Sequence, residues 1–134
     1  MRLTAMRVAS RFAISLLLVA TVGSAQTQFP DTPAGHQATA WLQAFNSGDR
    51  EKLQDFLQRN LPDRAQHMDQ EMGFRGMTGG FDLKKIEEST PTKLVALVQE
   101  RKSDQMGRLT VEVDSAEPHR ITNLGKSTAQ SPTA

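Results

Sequence analysis

The hydrophobic period of this chain changes once, at Gly79-Gly80, and that single change limits what it can fold into. Before the glycine pair, apolar residues recur at helical spacing. After it they alternate or run continuously, as in strands. Thr32-Pro33 reads as an N-cap followed by proline at the first helical position, where a missing N–H costs nothing. Ala34, Ala38, Trp41, Leu42 and Phe45 then fall on one stripe roughly 100° wide. Gly48 suits a left-handed helix end and Asp49 the next N-cap. Leu53, Phe56, Leu57 and Leu61 line one face of the second helix, and Pro62 stops it. A third helix is predicted over 63–72, with Ala65, Met68 and Met72 on one face. The stretch GFRGMTGGF (73–81) carries four glycines in nine residues and is read as a flexible joint.

Four strands are predicted beyond the joint. FDLKKIEES (81–89) alternates with a slip between Leu83 and Ile86, which points to a bulge. KLVALVQE (93–100) is nearly continuous in apolar residues, as a central strand should be. GRLTVEV (107–113) alternates cleanly, and HRITNLG (119–125) is the last strand. The connections between them have hairpin length and turn-forming residues, so the sheet is expected to be an antiparallel meander. The predicted fold class is α+β, with two to three N-terminal helices packed on one face of a four-stranded antiparallel sheet. The domain is placed at 32–125, and KSTAQSPTA (126–134) is read as a disordered tail or linker.

The first 25 residues are read separately. Met1 to Arg11 is basic without an acid, FAISLLLVATV (12–22) is uncharged, and Gly23-Ser24-Ala25 supplies a small-x-small end. Together these mark a secretory signal peptide, so a periplasmic or secreted product beginning at Gln26 is expected. The apolar run is shorter than the ~20 residues a spanning helix needs, so no membrane attachment is expected after cleavage. Three of the 16 Lys and Arg lie in this segment and none of the 15 acids, leaving 13 bases against 15 acids. With those charges interspersed, nucleic acid is not an expected partner. There is no cysteine, so the core alone must hold the exported fold.

The helix-then-meander order resembles the NTF2-like or SnoaL-like (cystatin-like) class, with WLQAFNSGDREKLQDFL as its opening hairpin. TGGFDLKKIEESTPTKLVALVQER followed by GRLTVEVDSAEPHRITNLG is similar to a leader domain of exported bacterial hydrolases, where it precedes S41-type peptidase or beta-lactamase-like serine hydrolase domains. That resemblance covers residues 32–125. Because the sequence ends where the family continues into the enzyme, it implies a non-catalytic accessory domain. A hydrolase domain or a second copy of the chain is the implied partner.

The chemistry-bearing residues agree with that expectation. No serine has a lysine three residues on, and Gly-x-Ser-x-Gly does not occur. Asp63, His67 and Glu71, spaced by four, could present metal ligands, but they point away from Ala65, Met68 and Met72 and are read as a solvated face. Neither metal nor cofactor is expected. His36 and His119 are read as surface residues. Gly73, Gly76, Gly79 and Gly80 lead from helix into strand, the reverse of a phosphate cradle. The alternative to an accessory domain is a small apolar-ligand binder or isomerase-like enzyme, its pocket lined by Trp41, Phe45, Phe56, Phe74 and Phe81. Enolising chemistry would want hydroxyl donors such as tyrosine, and the sequence has none. Aromatics at helical spacing are more often core, and Trp41 in particular is expected to be core and not a ligand-stacking residue.

Overall fold

A computed structural model describes residues 28–129 of the chain. The predicted signal peptide and the last five residues of the predicted tail lie outside the described residues. Helices α1 (Pro33–Asn46), α2 (Arg50–Asn60), α3 (Pro62–Ala65) and α4 (Met68–Thr78) precede strands β1 (Phe81–Ser89), β2 (Lys93–Glu100), β3 (Met106–Val113) and β4 (Ile121–Ala129). The strands form one antiparallel sheet in the order β1-β2-β3-β4, a simple meander. The fold is therefore α+β, helices first.

The caps follow from the residues. Thr32 Oγ1 accepts from the Gly35 N–H at 2.9 Å, and Asp49 Oδ1 accepts from Glu51 N–H at 2.9 Å. Each satisfies a donor that the helix itself leaves open. The far end of α1 is held more firmly. Arg75, from α4, donates to the Phe45 and Asn46 carbonyls at 2.8 and 2.9 Å. The Asn46 amide both donates to Phe81 O and accepts from Phe81 N–H, each at 2.9 Å. One asparagine thus ties the end of α1 to the first residue of β1.

The sheet's two faces differ. Leu94, Ala96 and Val98 of β2 and Leu109, Val111 and Val113 of β3 are buried, at alternate positions. All of these but Ala96 meet Ala34, Ala38, Trp41 and Phe45 of α1 and Leu53, Phe56 and Leu57 of α2 in one core. The other face carries charge. There Arg108 donates to both oxygens of Glu87, at 2.6 and 3.3 Å, and holds that carboxyl below its usual range.

Four sequence expectations need correction. The predicted helix over 63–72 is two helices, broken at Gln66 and His67. The glycine-rich joint is mostly helical: α4 continues through Gly73 and Gly76 to Thr78. Both glycines are exposed, so their weak helix propensity is tolerated where Met68, Glu71 and Thr78 of the same helix are buried. Only Gly79 and Gly80 leave the helix, with φ of 73° and 97°. The last strand begins at Ile121 rather than at His119, which sits in the preceding turn with φ 56°. It then runs to Ala129, so Lys126 to Ala129 are sheet and not tail. The bulge expected in β1 is present between Leu83 and Lys85, with a second between Ile86 and Glu88.

Glycines on α1 and α4 separate cleanly in what they tolerate. A Cβ at Gly35 would stand 1.9 Å from the Pro30 carbonyl oxygen, whereas one at Gly73 or Gly76 meets nothing within 4 Å. Gly35→Ala is expected to cost about 2 kcal/mol or more through that overlap. The double change Gly73→Ala, Gly76→Ala should raise stability by about 1–2 kcal/mol. Urea unfolding of the three proteins checks both signs; destabilisation by the double change would mean the segment is not helical in solution.

Candidate functional site

Where α1 crosses the open end of the sheet, four rings meet. Trp41 stacks on Phe45 with centroids 5.0 Å apart, and Phe45 stacks on Phe81 at 5.5 Å. Phe74, from α4, is tilted against Phe45 and Phe81 at 5.7 and 5.8 Å. The helical spacing of Trp41 and Phe45, four residues apart on α1, presents both to the strand that begins at Phe81. Offset and tilted pairs of this kind add roughly 0.5–1.5 kcal/mol each beyond their buried area.

Beside this cluster lies a pocket of about 380 Å³, lined by Trp41, Arg64, Phe74, Leu109, Leu124, Gly125 and Lys126. Its size falls within the range of small-molecule sites. Period two along β4 places Leu124 and Lys126 together, and Lys126 pairs across the ladder with Leu109. Lys126 therefore reaches over the helix-covered face. Its ammonium stands 5.3 Å from the Phe74 centroid and 5.2 Å from that of Phe81. Both lie within reach for cation–π attraction. Glu100 Oε2 is 3.9 Å away, at the edge of an ion pair, with both side chains less than a fifth exposed. No hydrogen bond to the ammonium is present among the described residues.

Arg64 closes another side. Its Nε and Nη2 donate to the two oxygens of Glu71, at 2.7 and 3.0 Å, and its Nη1 donates to Leu124 O at 3.2 Å. The spacing of seven residues puts Arg64 and Glu71 on neighbouring turns, bridging the break between α3 and α4. Glu71 is buried, at 8% exposure, so the expectation of a solvated Asp63–His67–Glu71 face is corrected. Its carboxylate faces Arg64 rather than water, while Asp63 and His67 are exposed. No group of three or more histidines or carboxylates able to hold a metal occurs among the described residues.

One polar atom stands out. The Trp41 indole Nε1 is the single side-chain N or O among the described residues that is buried without a hydrogen-bond partner. A buried donor left open costs about 1–3 kcal/mol, so it calls for an explanation. The residues lining the pocket carry, as polar side-chain groups, an indole N–H that is itself shut off from solvent, a guanidinium and an ammonium. All three are donors and none accepts.

Of the aromatic residues expected to form a pocket, Trp41 and Phe74 line this one. Phe45 and Phe81 are buried behind them, at 1% exposure, as the stack on which they rest. Phe56 is elsewhere. It borders a larger, open groove of about 610 Å³ between α1, α2 and the β3–β4 turn, with Gln37, Arg59, Asn60 and Arg120. Two amides of that groove are engaged within the protein: Gln37 donates to Asn60 Oδ1 and His119 O, and Asn60 donates to Phe56 O. The smaller pocket is the better candidate because it alone adjoins an open buried donor. Arg64 and Lys126 were not singled out by the sequence. The alternation Leu124-x-Lys126 is the signal that could have found Lys126.

No protein-family model matches the chain, and neither a characterised protein nor a solved structure is found to match it.

The Arg64–Glu71 bridge fixes α3 and α4 against β4, so its loss should be felt in stability. Glu71→Ala leaves a guanidinium with its side chain about one-third exposed and only the Leu124 carbonyl as partner. A fully buried broken pair costs about 3–5 kcal/mol, and the exposure of Arg64 lowers the expectation to roughly 2 kcal/mol. Chemical denaturation checks it, and a variant as stable as the parent would show that the bridge does not hold these helices.

Proposed function

We propose that this chain is a non-catalytic accessory domain of an exported system, and that it acts by holding a small ligand in the pocket between α1, α4 and β4. The observation that carries this reading is the chemistry of the lining: apolar surface with a guanidinium and an ammonium. A binding site needs shape, apolar contact and a few placed polar groups, all of which the pocket offers. Turnover by proton abstraction would need a base within reach of the ligand. The carboxylates nearest to Arg64 and Lys126 are those of Glu71, with both oxygens engaged by the guanidinium, and Glu100, 3.9 Å from the ammonium; neither lines the pocket. The binding half of the ligand-binder alternative is thereby favoured over the isomerase half.

The resemblance to leader domains of exported hydrolases supplies the setting. In this reading the product is periplasmic or secreted, and its partner is a serine hydrolase or S41-type peptidase domain, or a second copy of the chain. The ligand would then be bound beside the enzyme rather than processed by this domain.

Titration with the neutral dye N-phenyl-1-naphthylamine tests binding, and a fluorophosphonate probe tests catalysis on the same sample. Saturable uptake of one dye per chain, with no serine labelled, is the expected result. Absence of saturable uptake, or stoichiometric labelling of one serine that heat denaturation abolishes, would overturn the reading.

A further inference from the structure

The lining residues say more than that a ligand fits. A carboxylate or other acceptor on the lining would favour ligands with donors or positive charge. Here Trp41, Arg64 and Lys126 supply only donors. Arg64 commits three of its five N–H groups to Glu71 and Leu124. Lys126 commits none at hydrogen-bond distance, since Glu100 is 3.9 Å away. Its position over two ring faces keeps it partly removed from water, where a direct anionic partner gains more than at the surface. The rest of the lining is Phe74, Leu109, Leu124 and Gly125, which with the Trp41 ring suit a flat apolar body.

We infer that the pocket takes an organic carboxylate on a flat apolar body, with the carboxylate received by Lys126. This rests on the ligand-binding reading above and deepens it by naming the ligand class. About 380 Å³ accommodates one or two fused rings with a short acid group, and it excludes long acyl chains lying wholly inside. Glu100 is the built-in competitor. It holds the ammonium in place when the pocket is empty and yields to a closer carboxylate. Charge-assisted hydrogen bonds are shorter and stronger than neutral ones, so an acid should be preferred over its uncharged isostere.

The test compares 2-naphthoate with 2-naphthamide by calorimetric titration of the purified chain, beside the variants Lys126→Met and Lys126→Arg. The acid is expected to bind about tenfold or more tightly than the amide. Lys126→Met should remove that preference while the amide still binds, and Lys126→Arg should keep it. The melting point of each variant is taken alongside, and Lys126→Gln, which also removes the charge, takes the place of the methionine variant if that one does not fold. Equal binding of acid and amide would overturn the inference and leave the ligand-binding reading standing. A preference that survives in Lys126→Met would also overturn it, since the charge would be read elsewhere. Failure of both naphthalenes together with the neutral dye would remove the ligand-binding reading as well.

Discussion

The stacking of Trp41 and Phe45 on Phe81 is the contact on which the rest of this molecule depends. It joins the helical half of the chain to the strand half at the point where the hydrophobic period changes. Backbone chemistry secures the same junction: Asn46 bonds both polar groups of Phe81, and Arg75 takes up the last carbonyls of α1. Gly79 and Gly80 make the turn possible through their left-handed backbone. With the end of α1 fixed on the start of β1, the helix must lie across the sheet. Its buried stripe then meets the alternating apolar residues of β2 and β3.

The pocket is a consequence of that geometry. α1 brings Trp41 to the sheet, and α4, returning along its side, brings Phe74. β4 supplies Leu124 and Lys126 from the far edge. Arg64 ties α3 to α4 and to β4 together, so the wall is held by a charged bridge as well as by packing. The same packing leaves the Trp41 N–H without a partner.

Much of this was legible in the sequence, for reasons that can be named. Thr32-Pro33 and Gly48-Asp49 marked the helix ends because caps are local chemistry. The apolar stripes and alternation gave the elements because both periods are imposed by burial on one side. What escaped was decided by tertiary context. Gly73 and Gly76 looked like a joint, yet they sit on the exposed side of a helix whose other side is buried. The break between α3 and α4 at Gln66 and His67 carries no glycine or proline to announce it. Lys126 looked like the start of a polar tail because a lysine facing the core is rare. Only the ladder with β3, which pairs it with Leu109, turns it inward. Among the expected pocket residues, period alone could not separate Phe56, on α2, from the α1 and α4 rings that line the site.

On the binding reading, Trp41, whose indole N–H is buried and without a partner, lies against the ligand. The chain has one tryptophan, so a nitrogen–proton correlation spectrum contains one indole signal to follow. This signal should be protected from solvent exchange in the free protein. It should shift progressively to saturation as 2-naphthoate is added, as expected when an aromatic ring binds against the indole that lines the pocket. An indole proton that exchanges freely with water in the unliganded chain would contradict the burial. A protected signal that stays in place while 2-naphthoate binds would contradict the role given to Trp41.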